Sequence, residues 1–294
     1  MGFWKTKQLS RNKKYIPDKW SFVLVNTAVW SLILLGLIYW SPILLYPEGN
    51  DWNAAFRPAA LELLAGRNPY TVPGFFGPPW LLIPFIPLSL FPEQIGLWTV
   101  GIFNLSAFGF VAWKFGARLR TLALLLVTPQ VLWGSHMGNV DWIVSLGLVL
   151  PPQVGLFFVL VKPQIGWIIA VYWLLVTWQK HGFSRVIRTF LPVCLCIALS
   201  LLAFGLWPLK SGDTIGKFWN LAWWPYAIPV GLVLLVKAVR NHKFGYAITA
   251  TPFLTPYLAT YSFPLPVLGL LPSELETTAA ILGLWVIWLL RGPV

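Results

Sequence analysis

The sequence predicts an all-α protein that crosses a membrane about ten times. Of its 294 residues, 57% are hydrophobic and only 10% are charged, and the mean hydropathy is +0.72. A soluble domain of this length carries more charge and fewer apolar residues. Its repeated apolar runs suit a hydrocarbon layer about 30 Å thick, where a helix satisfies its own backbone hydrogen bonds. The composition therefore predicts a multi-pass helical membrane protein.

The apolar runs divide the chain into a basic segment at residues 1–20 and a single transmembrane domain at residues 21–294. Two of the runs are short and are separated by the sequence PPQ, so their boundaries are the least defined. The predicted spans lie at 21–46, 95–113, 121–134, 141–150, 153–162, 164–179, 189–207, 220–236, 244–262 and 276–290.

The basic residues occur in short clusters between the apolar runs rather than along one soluble face. Such clusters mark cytoplasmic loops of membrane proteins, so we interpret them as orientation signals and expect no nucleic-acid partner. The N-terminus and the C-terminus are then both cytoplasmic, in an inner or plasma membrane whose lipids are the surrounding partners. The clusters lie at residues 5–19, 114–120, 180–188 and 237–243, with Arg291 near the chain end.

The same orientation places most acidic residues on the non-cytoplasmic side, where carboxylate chemistry is therefore expected. Residues 47–94 form the first outer loop in this topology. Its sequence GNDWNAAFRPAALELLAGRNPY predicts an amphipathic helix that begins after Asn50 or Asp51 and stops at Gly66. The following PPWLLIPFIPLSLFP holds five prolines in residues 78–92, which favours a re-entrant or interfacial segment over a regular span.

Several motifs follow one another in an order that resembles a known family. An acidic residue and a short helix precede LLAGRNPY, and then come PLSLFP, GNVD, VKPQ and TPYLATYSF. This order, over roughly residues 48–270, resembles the polyprenyl-phosphate-mannose-dependent mannosyltransferases of the GT-C glycosyltransferase fold. Two motifs depart from the family pattern. GNVD stands where relatives often have Gly-Gln-x-Asn, and Tyr261-Ser262 stands where they often have Tyr-Asp.

The resemblance implies transfer of a sugar, with mannose expected, from a polyprenyl-phosphate carrier to an acceptor on the non-cytoplasmic face. It also implies a catalytic base in the first outer loop, which Asp51 matches. The lipid-linked sugar is the donor substrate, and no further cofactor is expected. No metal site is expected either, because the three histidines are scattered and the chain lacks HExxH and CxxC motifs. For Asp51, the alternatives are a helix cap and a surface acid.

The leaving phosphate needs cations near the outer membrane boundary, and Lys162 is the main candidate because it interrupts an apolar run. Its alternative role is snorkelling to lipid headgroups. Arg67 and His136 are weaker phosphate candidates, for which headgroup contact and a structural hydrogen bond are the alternatives.

Four further residues are candidates for binding the acceptor or the sugar. Asn139 and Asp141 offer hydrogen bonds to hydroxyl groups, or cap the helix that follows them. Tyr70 and Gln164 line the same predicted cavity, or simply pack.

Two other classes of function compete with the transferase. The altered motifs and short length also fit a catalytically silent GT-C-like scaffold or an accessory subunit that contacts other subunits of a membrane complex. A transporter is the weakest alternative, since the sequence shows no internal repeat and its ionisable residues concentrate at the outer boundary.

Overall fold

A computed structural model describes residues 48–214 and 220–292 of the chain, and before them residues 23, 26–27, 29–31, 33–38 and 41. Every regular element in this part of the chain is helical, and none is a strand, which confirms the predicted all-α class. The described residues between 23 and 41 are helical, within the predicted first span. The predicted basic segment at 1–20 lies outside the described residues.

Prolines begin several of the helices, because a proline at the first helical position loses no backbone hydrogen bond. The α-helices are α1 (Arg57–Leu64), α2 (Phe85–Ser89), α3 (Glu93–Lys114), α4 (Leu119–Leu126), α5 (Pro129–Met137), α6 (Asp141–Gly147), α7 (Pro152–Val159), α8 (Pro163–Phe204), α9 (Ile228–Asn241), α10 (Phe244–Leu254), α11 (Pro264–Val267) and α12 (Glu274–Arg291). A π-helical turn covers Trp52–Phe56, and 3-10 turns cover Pro69–Thr71, Pro79–Leu82, Trp207–Thr214, Thr260–Ser262 and Leu268–Leu270.

Two helices of the described part are long and apolar enough to cross a membrane. These are α3, with a mean hydropathy of 1.7, and α8, with 2.2. The helix α8 is broken at Gly182, whose φ is 74°, between the predicted spans 164–179 and 189–207. The predicted spans at 121–134, 141–150 and 153–162 coincide with α4 to α7, where a nine-residue helix is only about 14 Å long. The ten-span topology therefore stays a prediction.

The segment predicted to be the first outer loop contains the predicted helix, but the first turn of this helix is wider than an α-helix. The π-helical turn runs directly into α1, and the chain leaves this helix at Gly66, where φ is 72°. The proline-rich segment forms only the 3-10 turn at 79–82 and the short helix α2. Its prolines remove backbone donors at intervals of a few residues, which prevents a longer helix.

Close helix contacts fix the loop against the rest of the chain. Trp52 is fully buried and its indole N–H donates to the carbonyl of Glu93 at 3.2 Å, while Gly96 of α3 leaves room for the ring. The pair α6 and α7 packs between α3 and α8. A Cβ at Gly166 would lie 1.9 Å from the carbonyl oxygen of Val159, so only glycine allows α8 to lie this close to the end of α7.

Candidate functional site

Polar side chains from four distant parts of the chain meet in a largely buried cluster. We call Asp51, Asn139, Asp141, Lys162 and Ser262 the polar cluster. Asp51 precedes the π-helical turn, Asn139 and Asp141 belong to the turn and start of α6, Lys162 immediately precedes α8, and Ser262 ends a 3-10 turn. All but Asp51, which is half-buried, are buried. In an apolar interior such groups are costly unless they pair with one another.

Asn139 lies at the centre of the polar cluster, and its amide is oriented by its neighbours. Its Oδ1 accepts hydrogen bonds from the backbone N–H groups of Val140 at 2.7 Å and Asp141 at 3.1 Å. Its Nδ2 donates to Oδ2 of Asp51 at 2.6 Å. Since an amide oxygen only accepts and an amide nitrogen only donates, the reverse orientation would oppose like groups. Asn139 therefore presents a donor to the Asp51 carboxylate.

Lys162 forms the cationic part of the polar cluster. Its ammonium group donates to Oδ1 of Asp141 at 2.5 Å, to Oγ of Ser262 at 2.9 Å and to Oδ1 of Asn139 at 3.4 Å. It also lies 4.5 Å from the centre of the Tyr261 ring, within range of a cation–π contact. The side chains of Lys162 and Asp141 are only 9% and 2% exposed, so this ion pair is shielded from solvent.

One oxygen of the Asp141 carboxylate lacks a partner among the described residues. Oδ1 accepts from Lys162, whereas Oδ2 is buried without a hydrogen bond. A buried carboxylate oxygen is a strong acceptor, and leaving it unpaired is costly. Oδ2 of Asp141 is therefore a buried acceptor of the polar cluster with no hydrogen bond among the described residues.

Burial raises the pKa of Asp51 above its ordinary value of 3.8. The hydrogen bond from Asn139 and the charge of Lys162 act in the opposite direction, and the negative charge of Asp141 adds to the increase. Desolvation remains the largest contribution, because removing water disfavours the charged form. Asp51 occupies the N-cap position of the π-helical turn, yet its side chain makes no capping hydrogen bond. The carboxylate instead faces Asn139, so the capping alternative does not account for it.

The weaker phosphate candidates have other contacts in the structure. Arg67 forms an ion pair with Glu62 at 2.6 Å, and its side chain is 63% exposed. The buried ring of His136 stacks on Trp133 with 4.8 Å between the ring centres. The backbone carbonyl of His136 accepts from the N–H of Gly49 at 3.0 Å, which connects α5 to the segment before the π-helical turn.

Tyr70 and Gln164, both predicted to line the site, have contacts with other parts of the described chain. Tyr70 is buried, donates its hydroxyl to the carbonyl of Gly77 at 2.9 Å and stacks on Trp207. Burial raises its pKa well above the ordinary value. Gln164 lies in the first turn of α8, where its backbone carbonyl accepts from the hydroxyl of Thr255 at 2.5 Å. Of the four predicted sugar-binding residues, Asn139 and Asp141 belong to the polar cluster, and the sugar-binding role of all four stays a prediction.

Two residues that contact Lys162 were not among the sequence-predicted site residues. Tyr261 and Ser262 both contact the Lys162 ammonium, from the TPYLATYSF motif. That motif is the available sequence signal, although its Tyr-Ser pair departs from the family pattern. In the described part of the chain, no group of three His, Cys, Asp or Glu residues could hold a metal ion.

Comparisons with known proteins give no relative from which the role of the polar cluster could be inferred. No family model, no curated protein and no solved structure matches the chain.

Proposed function

We propose that the chain is a membrane glycosyltransferase that transfers a sugar, with mannose expected, from a polyprenyl-phosphate carrier to an acceptor hydroxyl. The reaction takes place on the non-cytoplasmic face of a membrane that the chain crosses about ten times. The observation that carries the proposal is the hydrogen bond of 2.6 Å between Asp51 and Asn139. It joins the acid of the first outer loop to the GNVD motif, 88 residues further along the chain.

In this reaction Asp51 is the base. Its carboxylate takes the proton of the acceptor hydroxyl while the hydroxyl oxygen forms a bond to the anomeric carbon of the sugar. The bond from that carbon to the carrier phosphate breaks, and the phosphate leaves with the electron pair, which inverts the configuration. A base whose pKa is raised toward the working pH accepts this proton more readily, as burial arranges for Asp51.

Asn139 and Asp141 hold the reacting groups in this proposal. Asn139 orients the Asp51 carboxylate through its Nδ2 donor. Oδ2 of Asp141 has no partner among the described residues. In this proposal it accepts a hydrogen bond from a hydroxyl of the acceptor or the sugar. Such positioning lowers the barrier because the reacting groups need not be ordered in the transition state.

The test is turnover of polyprenyl-phosphate-linked mannose, glucose and arabinose by the purified protein in liposomes, with acceptors extracted from the native membrane. Asp51→Asn keeps the size of the side chain but removes the base, so we expect turnover to fall about 10²- to 10⁴-fold. Glu62→Gln is the matched control, because Glu62 lies on the same loop but pairs with the exposed Arg67. Equal turnover by Asp51→Asn and the parent would eliminate Asp51 as the base.

A catalytically silent scaffold is the second candidate, and one observation favours it. The polar cluster satisfies most of its own hydrogen bonds, as expected of groups that hold helices together. A scaffold would bind no carrier lipid and would copurify with other subunits of a membrane complex. If neither polyprenyl phosphate nor any polyprenyl-phosphate sugar binds the purified protein, the transferase is wrong and the scaffold stands.

A further inference from the structure

The three donors of the Lys162 ammonium group each have a partner within the protein. An ammonium group carries three N–H bonds. Asp141, Ser262 and Asn139 offer it three acceptor atoms between 2.5 and 3.4 Å away. The ring of Tyr261 covers it at 4.5 Å. A phosphate oxygen could therefore bind Lys162 only by displacing one of these contacts.

Displacing the strongest contact would leave Asp141 without compensation. This residue is 1% exposed, and its Oδ2 already lacks a partner among the described residues. A buried carboxylate that loses its cation is strongly destabilised, because neither water nor another charge replaces it. The negative charge of a donor phosphodiester beside the same carboxylate would add repulsion. These energies favour a Lys162 that stays with Asp141 throughout the reaction.

The remaining contact of Lys162 leads to the proposed base. Lys162 donates to Oδ1 of Asn139, and the opposite end of that amide donates to Asp51. With the two backbone N–H groups at Val140 and Asp141, the ammonium fixes which end of the amide faces Asp51. A single chain of hydrogen bonds thus runs from Lys162 through Asn139 to Asp51.

We infer that Lys162 is a positioning residue that orients Asp51 through Asn139, and that it does not bind the donor phosphate. This inference rests on the proposed transferase function, in which Asp51 is the base. It revises the phosphate-binding role that the sequence predicted for Lys162.

The first experiment measures binding of a short polyprenyl phosphate, without sugar, to the purified protein in detergent. Lys162→Met removes the charge and keeps the length of the side chain. We expect Lys162→Met to bind polyprenyl phosphate with the same affinity as the parent. The control is Lys210→Met, whose exposed cation contacts the carbonyl of Tyr70, and we expect the same affinity for it. Loss of a phosphate ligand would weaken binding about 10- to 100-fold, and such a loss in Lys162→Met alone would overturn the inference.

Lys162→Met leaves a buried carboxylate without its cation and can prevent folding. The companion variant combines Lys162→Met with Asp141→Asn, so that no charge of the pair remains. Binding of polyprenyl phosphate is measured for both variants. If Lys162→Met does not fold, the affinity of the double variant tests the inference.

The second experiment tests the route through Asn139 without using turnover. A hydrophobic carbodiimide modifies protonated carboxyl groups, and mass spectrometry locates the modification at Asp51 as the pH is varied. Asn139→Ala and Lys162→Met each remove a contact that favours ionised Asp51, so labelling should extend to higher pH in both. If Lys162 acts through Asn139, the double variant shifts the midpoint by less than the sum of the single shifts. A fully additive result overturns the positioning role.

The two experiments separate this inference from the proposed function. A parent protein that binds no polyprenyl phosphate refutes the transferase. The carbodiimide cycle still decides whether Lys162 orients Asp51 through Asn139, because that measurement needs neither donor nor acceptor.

Discussion

Gly138 allows the GNVD turn to lie against Trp52 at the start of the π-helical turn, and its replacement by alanine is the sharpest test of the site. Its φ is 71°, a conformation that costs about 1–2 kcal/mol for a residue with a side chain. A Cβ at Gly138 would lie 2.6 Å from Cβ of Trp52, which follows Asp51 directly. Forcing an extra methyl group into such packing costs about 1–3 kcal/mol more. We expect Gly138→Ala to lose about 2–5 kcal/mol of unfolding free energy in total.

Gly116 provides a matched control for this prediction. Its φ is 84°, but a Cβ there would meet no atom within 4 Å. Gly116→Ala therefore carries the backbone cost alone, about 1–2 kcal/mol. Unfolding by SDS in detergent micelles, followed by far-ultraviolet circular dichroism, measures both free energies. Equal losses in the two variants would refute the contact with Trp52, and wild-type turnover by folded Gly138→Ala would refute the positioning of Asn139 by this turn.

Three further predictions concern ionisation, the buried ion pair and topology. Because burial raises the pKa of Asp51, turnover should rise with pH, and the midpoint of that rise should lie above pH 3.8. Asn139→Ala should move this midpoint to higher pH. A midpoint at or below pH 3.8 would contradict the assignment of Asp51 as the base. The same shift makes the folded state bind the proton more tightly, so ionisation of Asp51 lowers stability as pH rises above 3.8. Lys162→Met should cost about 3–5 kcal/mol of unfolding free energy, most of it recovered by adding Asp141→Asn, whereas no recovery would deny the coupling. In a chain without Cys194 and Cys196, a membrane-impermeant maleimide should label Arg67→Cys in intact cells and Arg291→Cys only after permeabilisation; the reverse pattern would invert the topology.

The order of the motifs predicts four of the five residues of the polar cluster as site residues. The place of Asp51 in the predicted first outer loop indicates this residue, and a charge within an apolar run indicates Lys162. The GNVD motif indicates Asn139 and Asp141 as site residues. Motif order does not contain distances, so it could not separate these four from Arg67 and Tyr70. In the structure Arg67 pairs at the surface with Glu62, whereas Asp51 meets a residue 88 positions away.

The number of spans illustrates a second limit of sequence reasoning. Hydropathy adds the apolar character of a window and does not register a break within it. The turn at Gly138 and the prolines at 129, 151, 152 and 163 divide residues 119–163 into helices of nine residues or fewer. The apolar runs there stay predictions as membrane spans, and the structure divides them into short helices.

The sequence by itself determined the helical class and the apolar character of the chain, because both follow from composition and local residue preferences. It also identified which side chains are expensive to bury, since charge is a property of each residue. Only the tertiary structure decided which of them meet, how the amide of Asn139 is turned and which donors of Lys162 are occupied. Those features depend on contacts between segments up to 100 residues apart, and local sequence carries no information on such distances.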